Sequence, residues 1–151
     1  MALTGVAVVA RRRLYSLFAE FQRLYLNKVW GMDIGPNCQI SLSARLDKTY
    51  PRGIHIGEST AVNDRACILT HDFPRELLAD TCIGKQCDIG ERSIIMPGVK
   101  IGDNCVVAAA SVVMKDVPPN CLVAGNPARI IEKGLVTGPL GVLSPRAGAR
   151  G

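Results

Sequence analysis

The chain has 151 residues, 48% of them hydrophobic but only 5% aromatic, with a net charge of +5. That is room for one domain with a core of Val, Ile, Leu, Ala and Cys, which favours a thin, regular architecture over one organised around large rings. The excess charge is at the ends: residues 1–30 carry +4 and the tail Arg146 and Arg150, whereas residues 31–133 carry −1. A nucleic-acid binder carries its charge on the folded surface, so that class is excluded.

The first element predicted in chain order is an amphipathic helix within residues 1–30. Leu14, Leu17, Phe18, Phe21, Leu24 and Tyr25 follow a helical period beside Arg11, Arg12, Arg13 and Arg23. The apolar run Leu3–Ala10 precedes its charges, the reverse of a secretory signal, and is too short to span a bilayer. The expectation is a cytoplasmic protein with free thiols. The helical stripe is expected to pack on the rest of the protein or on partner subunits, with peripheral contact at the inner face of the membrane as the second reading.

From residue 31 an aliphatic side chain recurs every sixth position: Ile34, Ile40 and Leu46, then Ile56, Val62 and Ile68, then Ile83, Ile89, Ile95, Ile101, Val107 and Val113. Two residues earlier stands a small or modest side chain, among them Cys38, Thr60, Cys87, Cys105 and Ser111. Residues two apart on a strand face the same way, so both positions point inward. Glycine often follows the aliphatic residue, as at Gly35, Gly57, Gly84, Gly90 and Gly102, which suggests a corner needing positive φ. Three such hexapeptides make one coil of a prism, and stacked coils pair as parallel strands. Coils begin near Ile34, Ile56, Ile83 and Ile101, with a partial one around Val123. The step from Leu46 to Ile56 holds a short insertion, and the step from Ile68 to Ile83 a protruding loop across His71–Asp80. Residues 134–151 hold five Gly, two Pro and no period, and are expected to be a flexible tail.

The same parse accounts for the six cysteines. Cys38, Cys87, Cys105 and Cys121 take the inward position, and Cys67 and Cys82 fall one residue later, facing out. No CxxC or HxxxH spacing occurs, so no metal is expected.

The segment Ile89–Ile131, with PGVKIGD, AAASVVMKDVPPN and VAGNPARII, resembles the closing coils of the hexapeptide-repeat acyltransferases, among them maltose, galactoside and polysaccharide O-acetyltransferases. The resemblance covers Ile34–Lys133 and implies an all-β, left-handed parallel β-helix in residues 31–133, an exception to the right-handed crossover rule. It implies a homotrimer with acetyl-CoA, or a similar acyl-CoA, in the groove between prisms. That groove would be lined by Ala110, Ser111, Ala124, Gly125, Asn126 and Pro127, with Lys115, Arg129 and Lys133 as cations for the phosphates. One departure is Asp88, where many relatives have Trp, and it bears on acyl preference.

Of the two histidines, His71 stands where the repeat breaks, the place of the catalytic His in the relatives, and imidazole suits the removal of an acceptor proton. Asn63 and Asp64 are candidates to hold the acceptor or the imidazole. Asp72 is adjacent in sequence and counts as a substrate contact, without being assigned as the orienting carboxylate. His55 precedes Ile56 and should face outward as a surface residue. The expected reaction is acyl transfer to a sugar hydroxyl in surface polysaccharide or lipopolysaccharide synthesis. The alternatives are serine or amino-sugar acetylation, a zinc-dependent carbonic anhydrase on the same prism, for which two histidines make no triad, and a non-catalytic trimer.

Overall fold

The computed structural model describes residues 5–144. A helix over Gly5–Trp30 leads into three flat walls of very short parallel strands, joined corner to corner. The first wall stacks Asp33–Ile34, Ile54–Ile56, Thr81–Ile83 and Lys100–Ile101. The second stacks Gln39–Ile40, Ala61–Val62, Asp88–Ile89, Val106–Val107 and Cys121–Gly125, and ends on the antiparallel strand Ala128–Lys133. The third stacks Arg45–Leu46, Cys67–Ile68, Ile94–Ile95 and Val112–Val113. The chain visits the walls in rotation, the winding of a left-handed β-helix.

The register places each repeat aliphatic directly over its counterpart: Ile34 on Ile56, Ile56 on Ile83 and Ile83 on Ile101 on the first wall. Ile89 pairs with both Val62 and Val107 on the second. All these side chains are buried. A coil alone would hold only one residue per wall, so burial comes from stacking. A one-residue slip would turn every aliphatic outward, which is why the hexapeptide spacing specifies the register so strongly.

The inward small positions build their own ladder at the corner entering the second wall. The thiol of Cys38 donates to Gly57 O at 3.0 Å, Thr60 Oγ1 to Gly84 O at 2.8 Å, Cys87 to Gly102 O at 3.2 Å and Cys105 to Pro118 O at 3.2 Å. Each coil is thus bonded to the next through a short donor. Burial pushes the Cys87 thiol up to about 12, so it stays protonated as the donor this ladder needs. Cys67 and Cys82 face outward and are half-buried.

The glycines after the aliphatic positions do not take positive φ, contrary to the sequence expectation. The left-handed residues are those just before the small inward ones, such as Asn37, Ser59, Gln86, Arg92 and Asn104. Glycine is needed instead because the next coil runs so close: a Cβ at Gly90 would lie 2.4 Å from Val107 O, and one at Gly57 2.6 Å from Gly84 C.

The first part of the expected flexible tail is also corrected. Residues 134–144 lie on the prism, with Leu135 and Thr137 buried. Thr137 Oγ1 donates to Gln86 O at 2.8 Å, and Leu140 N to Ser59 O at 2.7 Å. A Cβ at Gly141 would meet the Asp88 Cβ at 2.4 Å, and Gly141 has φ +69. The small side chain of Asp88 leaves room for this strap. Residues 145–151 of that expectation lie outside the described residues.

Candidate active site

The site grows from two irregularities in the repeat. The insertion after Leu46 carries Asp47, whose carboxylate is 4% exposed. The break after Ile68 brings Thr70 and His71 beside it. Asp47 Oδ2 accepts from Thr70 N at 2.9 Å and His71 N at 3.1 Å, and Oδ1 accepts from Thr49 N at 2.9 Å. The same Oδ2 accepts a hydrogen bond from His71 Nδ1. Burial pushes the Asp47 carboxyl up, but the N–H groups of Thr70 and Thr49 and the His71 ring more than reverse this, leaving it at about 2. Asp47 is therefore ionised at neutral pH and can only accept. It fixes the tautomer: Nδ1 of His71 carries the hydrogen, and Nε2 of the neutral ring keeps a lone pair.

The segment that follows is braced. His71–Asp72 pairs antiparallel with Leu77–Leu78, Glu76 N closes the turn on Phe73 O at 3.1 Å, and Arg75 meets Asp72 at 3.3 Å. Buried threonines anchor its base: Thr70 Oγ1 donates to Tyr50 O at 2.8 Å and Thr81 Oγ1 to Leu69 O at 2.6 Å. His71, Asp72, Thr49 and the hairpin line a cleft of about 600 Å³. A half-buried imidazole with a fixed tautomer, opening on a cleft, can take a proton from a bound nucleophile.

Of the residues expected to serve the site, Asp72 stands beside His71. Asn63 and Asp64 do not orient the imidazole: that place is taken by Asp47. Asn63 Nδ2 donates to Asp88 Oδ1 at 2.6 Å, Asp64 accepts from Ser41, and both line a separate groove of about 300 Å³ against the helix. Burial pushes the Asp88 carboxyl up, with the Asn63 bond acting against it. His55 faces outward as expected, but between two carboxylates, with Nδ1 3.1 Å from Asp33 and Nε2 3.5 Å from Asp80. Asp47 escaped the sequence reading because it follows Leu46 at the start of the insertion, and the repeat says nothing of which residue of the next coil it meets. Its only signal was a carboxylate one coil before the break that carries His71, 24 positions earlier.

At the far end of the prism, Lys115 and Arg129 line one cleft of about 410 Å³ with Val113, Asp116 and Val117. Ala124, Gly125, Asn126 and Pro127 form the adjoining hairpin turn, with a cis bond between Asn126 and Pro127. Ala110 is exposed. Ser111 cannot line a groove directly: it is 1% exposed, and its Oγ accepts from Gly125 N at 3.1 Å. It shapes the turn from inside. Lys133 pairs across from Cys121 at the opposite end of its strand, away from Arg129. Among the described residues no group of His, Cys, Asp and Glu could hold a metal ion.

Fold and repeat define the class, a left-handed β-helix wound from hexapeptides. Residues 81–115 match the family model described as the hexapeptide repeat of succinyl-transferase. The chain is 37% identical over 102 residues to YvoF of Bacillus subtilis, an acetyltransferase by name, covering 66% of this chain and 59% of that protein. Over 51 residues it is 51% identical to galactoside O-acetyltransferase of Escherichia coli strain K12, covering 34% of this chain and 25% of that enzyme. Among solved structures, a hexapeptide-repeat acetyltransferase of Vibrio cholerae superposes with a TM-score of 0.57 at 23% identity, over 87% of this chain and 94% of that one. The chain spans less than two thirds of the curated relatives' length. It carries the repeat and the fold of the hexapeptide-repeat acyltransferases.

Proposed function

We propose that this chain is an acyl-CoA-dependent O-acyltransferase, with acetyl-CoA as donor and a sugar hydroxyl as acceptor, in the synthesis of surface polysaccharide or lipopolysaccharide. The observation that carries this reading is the Asp47–His71 pair, an ionised buried carboxylate holding the imidazole with Nε2 free on a cleft. In the reaction, the acceptor oxygen bonds to the thioester carbonyl carbon while Nε2 of His71 takes the hydroxyl proton. The carbon–sulfur bond then breaks, and the departing thiolate recovers that proton from the imidazolium. Asp47 favours the imidazolium by its charge, which matters only as the proton moves.

Lys115 and Arg129 supply cations for the phosphates, and the turn Ala124–Pro127 offers a small-residue wall for the pantetheine arm. On one chain these residues and His71 line different clefts. Adjacent prisms in a homotrimer would join the two, and that assembly belongs to the proposal. Asn63, Asp64 and Asp72 are retained as acceptor contacts, with Asn63 and Asp64 serving from a neighbouring subunit.

His71→Ala tests the reading. The turnover of acetyl-CoA and a panel of sugars should fall by about 10²–10⁴, with CoA binding unchanged by calorimetry. Near wild-type turnover under saturating substrates would defeat it.

A further inference from the structure

The helix meets the prism with its polar face. Arg23 Nη1 donates to Ile34 O at 3.2 Å, and Asn27 brackets Ile34, donating to its O at 2.9 Å and accepting from its N at 3.1 Å. Leu26 and Trp30 pack against the core from the same side. This overturns the sequence expectation that the apolar stripe packs on the chain's own prism; the other half of that expectation, packing on a partner subunit, is left to the light-scattering test. Leu14, Leu17 and Phe21 sit on the opposite face, 70%, 69% and 71% exposed, and Phe18, Leu24 and Tyr25 flank it at 46%, 41% and 46%, Phe18 also lining the groove beside the second wall.

The stripe is contiguous at helical spacing, and the bonds to Ile34 prevent the helix from rolling it inward. Three large apolar side chains at about 70% exposure and three at 41–46% together present on the order of 700 Å², above the roughly 300–600 Å² of the largest patch on a typical monomer. Toward the N-terminus the helix leaves the prism: residues 7–14 are exposed on every face, whereas Tyr15 and Phe18 still line the groove beside the second wall. A helical segment that short is marginal in water without a partner.

We infer that this helix is a membrane-docking element, laying its outward apolar stripe into the interface of an anionic lipid bilayer. The charge selects that occupant. Arg11, Arg12 and Arg13 are all exposed, and residues 7–18 contain no acid. The one acidic residue of the helix, Glu20, is already paired with Arg23. A second copy of the chain carries little net negative charge to match them, residues 31–133 summing to −1. Anionic headgroups satisfy the arginines while the Leu and Phe side chains enter the acyl boundary, the combination by which interfacial helices bind. The helix is too short in apolar residues to cross the bilayer, so it lies on the surface. The inference is independent of the chemistry at His71.

The test is flotation of the full chain with vesicles of phosphatidylcholine alone and with added phosphatidylglycerol. The expected result is co-flotation with the anionic vesicles, weakened by high salt. A triple variant Arg11→Glu, Arg12→Glu, Arg13→Glu should partition about 100-fold less or weaker still, given the worth of each cation near an anionic surface. A double variant Leu17→Glu, Phe21→Glu should not float, although its urea midpoint stays at the wild-type value because neither side chain touches the prism. Wild-type protein that fails to float, or a triple variant that floats unchanged, overturns the inference. So does light scattering in which the double variant breaks the assembly apart, which would mean that another copy covers the stripe.

Discussion

Replacing Asp47 with Asn probes fold and chemistry together. The carboxylate has four donors around it: Thr49 N on Oδ1, and Thr70 N, His71 N and His71 Nδ1 on Oδ2. An amide has one oxygen. It will face the three donors on the Oδ2 side, which leaves its NH₂ against Thr49 N–H, with one buried donor unpaired at a cost of about 1–3 kcal/mol. The His71 tautomer survives that flip, but the charge opposite the imidazolium does not. A hydrogen bond to a charged group is worth about 1.5–3 kcal/mol, so turnover should fall about 10–100-fold with substrate binding little changed.

The second readout is acid stability. The folded carboxyl lies at about 2 against an ordinary value of 3.8. The lowered value means that the stabilisation is complete above pH 3.8 and is lost as pH falls toward 2. That difference corresponds to about 2 kcal/mol. Urea midpoints measured as pH falls through this window should drop for wild type and lack this component in Asp47→Asn. The reasoning is refuted if the variant keeps wild-type turnover and shows the same acid-side loss.

Three further outcomes follow from the packing. Gly90→Ala puts a Cβ 2.4 Å from Val107 O, and its urea midpoint should report a loss of about 1–3 kcal/mol. Cys87→Ser should change stability by less than about 1 kcal/mol, because its hydroxyl inherits Gly102 O as acceptor just as Thr60 uses Gly84 O; the wild-type thiol, pushed up to about 12, should resist thiol reagents in the native state at neutral pH. Gly141→Val has no room over Asp88, so limited proteolysis should cut residues 134–144 far faster in this variant than in wild type.

The prism was legible in the amino-acid sequence because its determinant is local and repeated. One inward aliphatic per six residues, with a small partner two positions earlier, admits a single register, and each repetition confirms the last. The same pattern sorted the cysteines into inward and outward sets, and the break in the period located His71. Where a residue answers to partners distant in sequence, the pattern was silent. Asp47 follows Leu46 where the repeat is interrupted, and only the stacking of one coil on the next brings its carboxylate to His71, 24 positions later. The glycines were recognised but misread, because the clash that excludes a Cβ comes from the coil above and not from their own φ. The Gly-rich tail looked flexible because its contacts, Gln86, Asn104 and Asp88, all belong to coils already completed. The helix was expected from its 3.6-residue period, but a period cannot say which face meets the body. That was decided by Arg23 and Asn27 finding the backbone of Ile34, which left the apolar stripe facing outward.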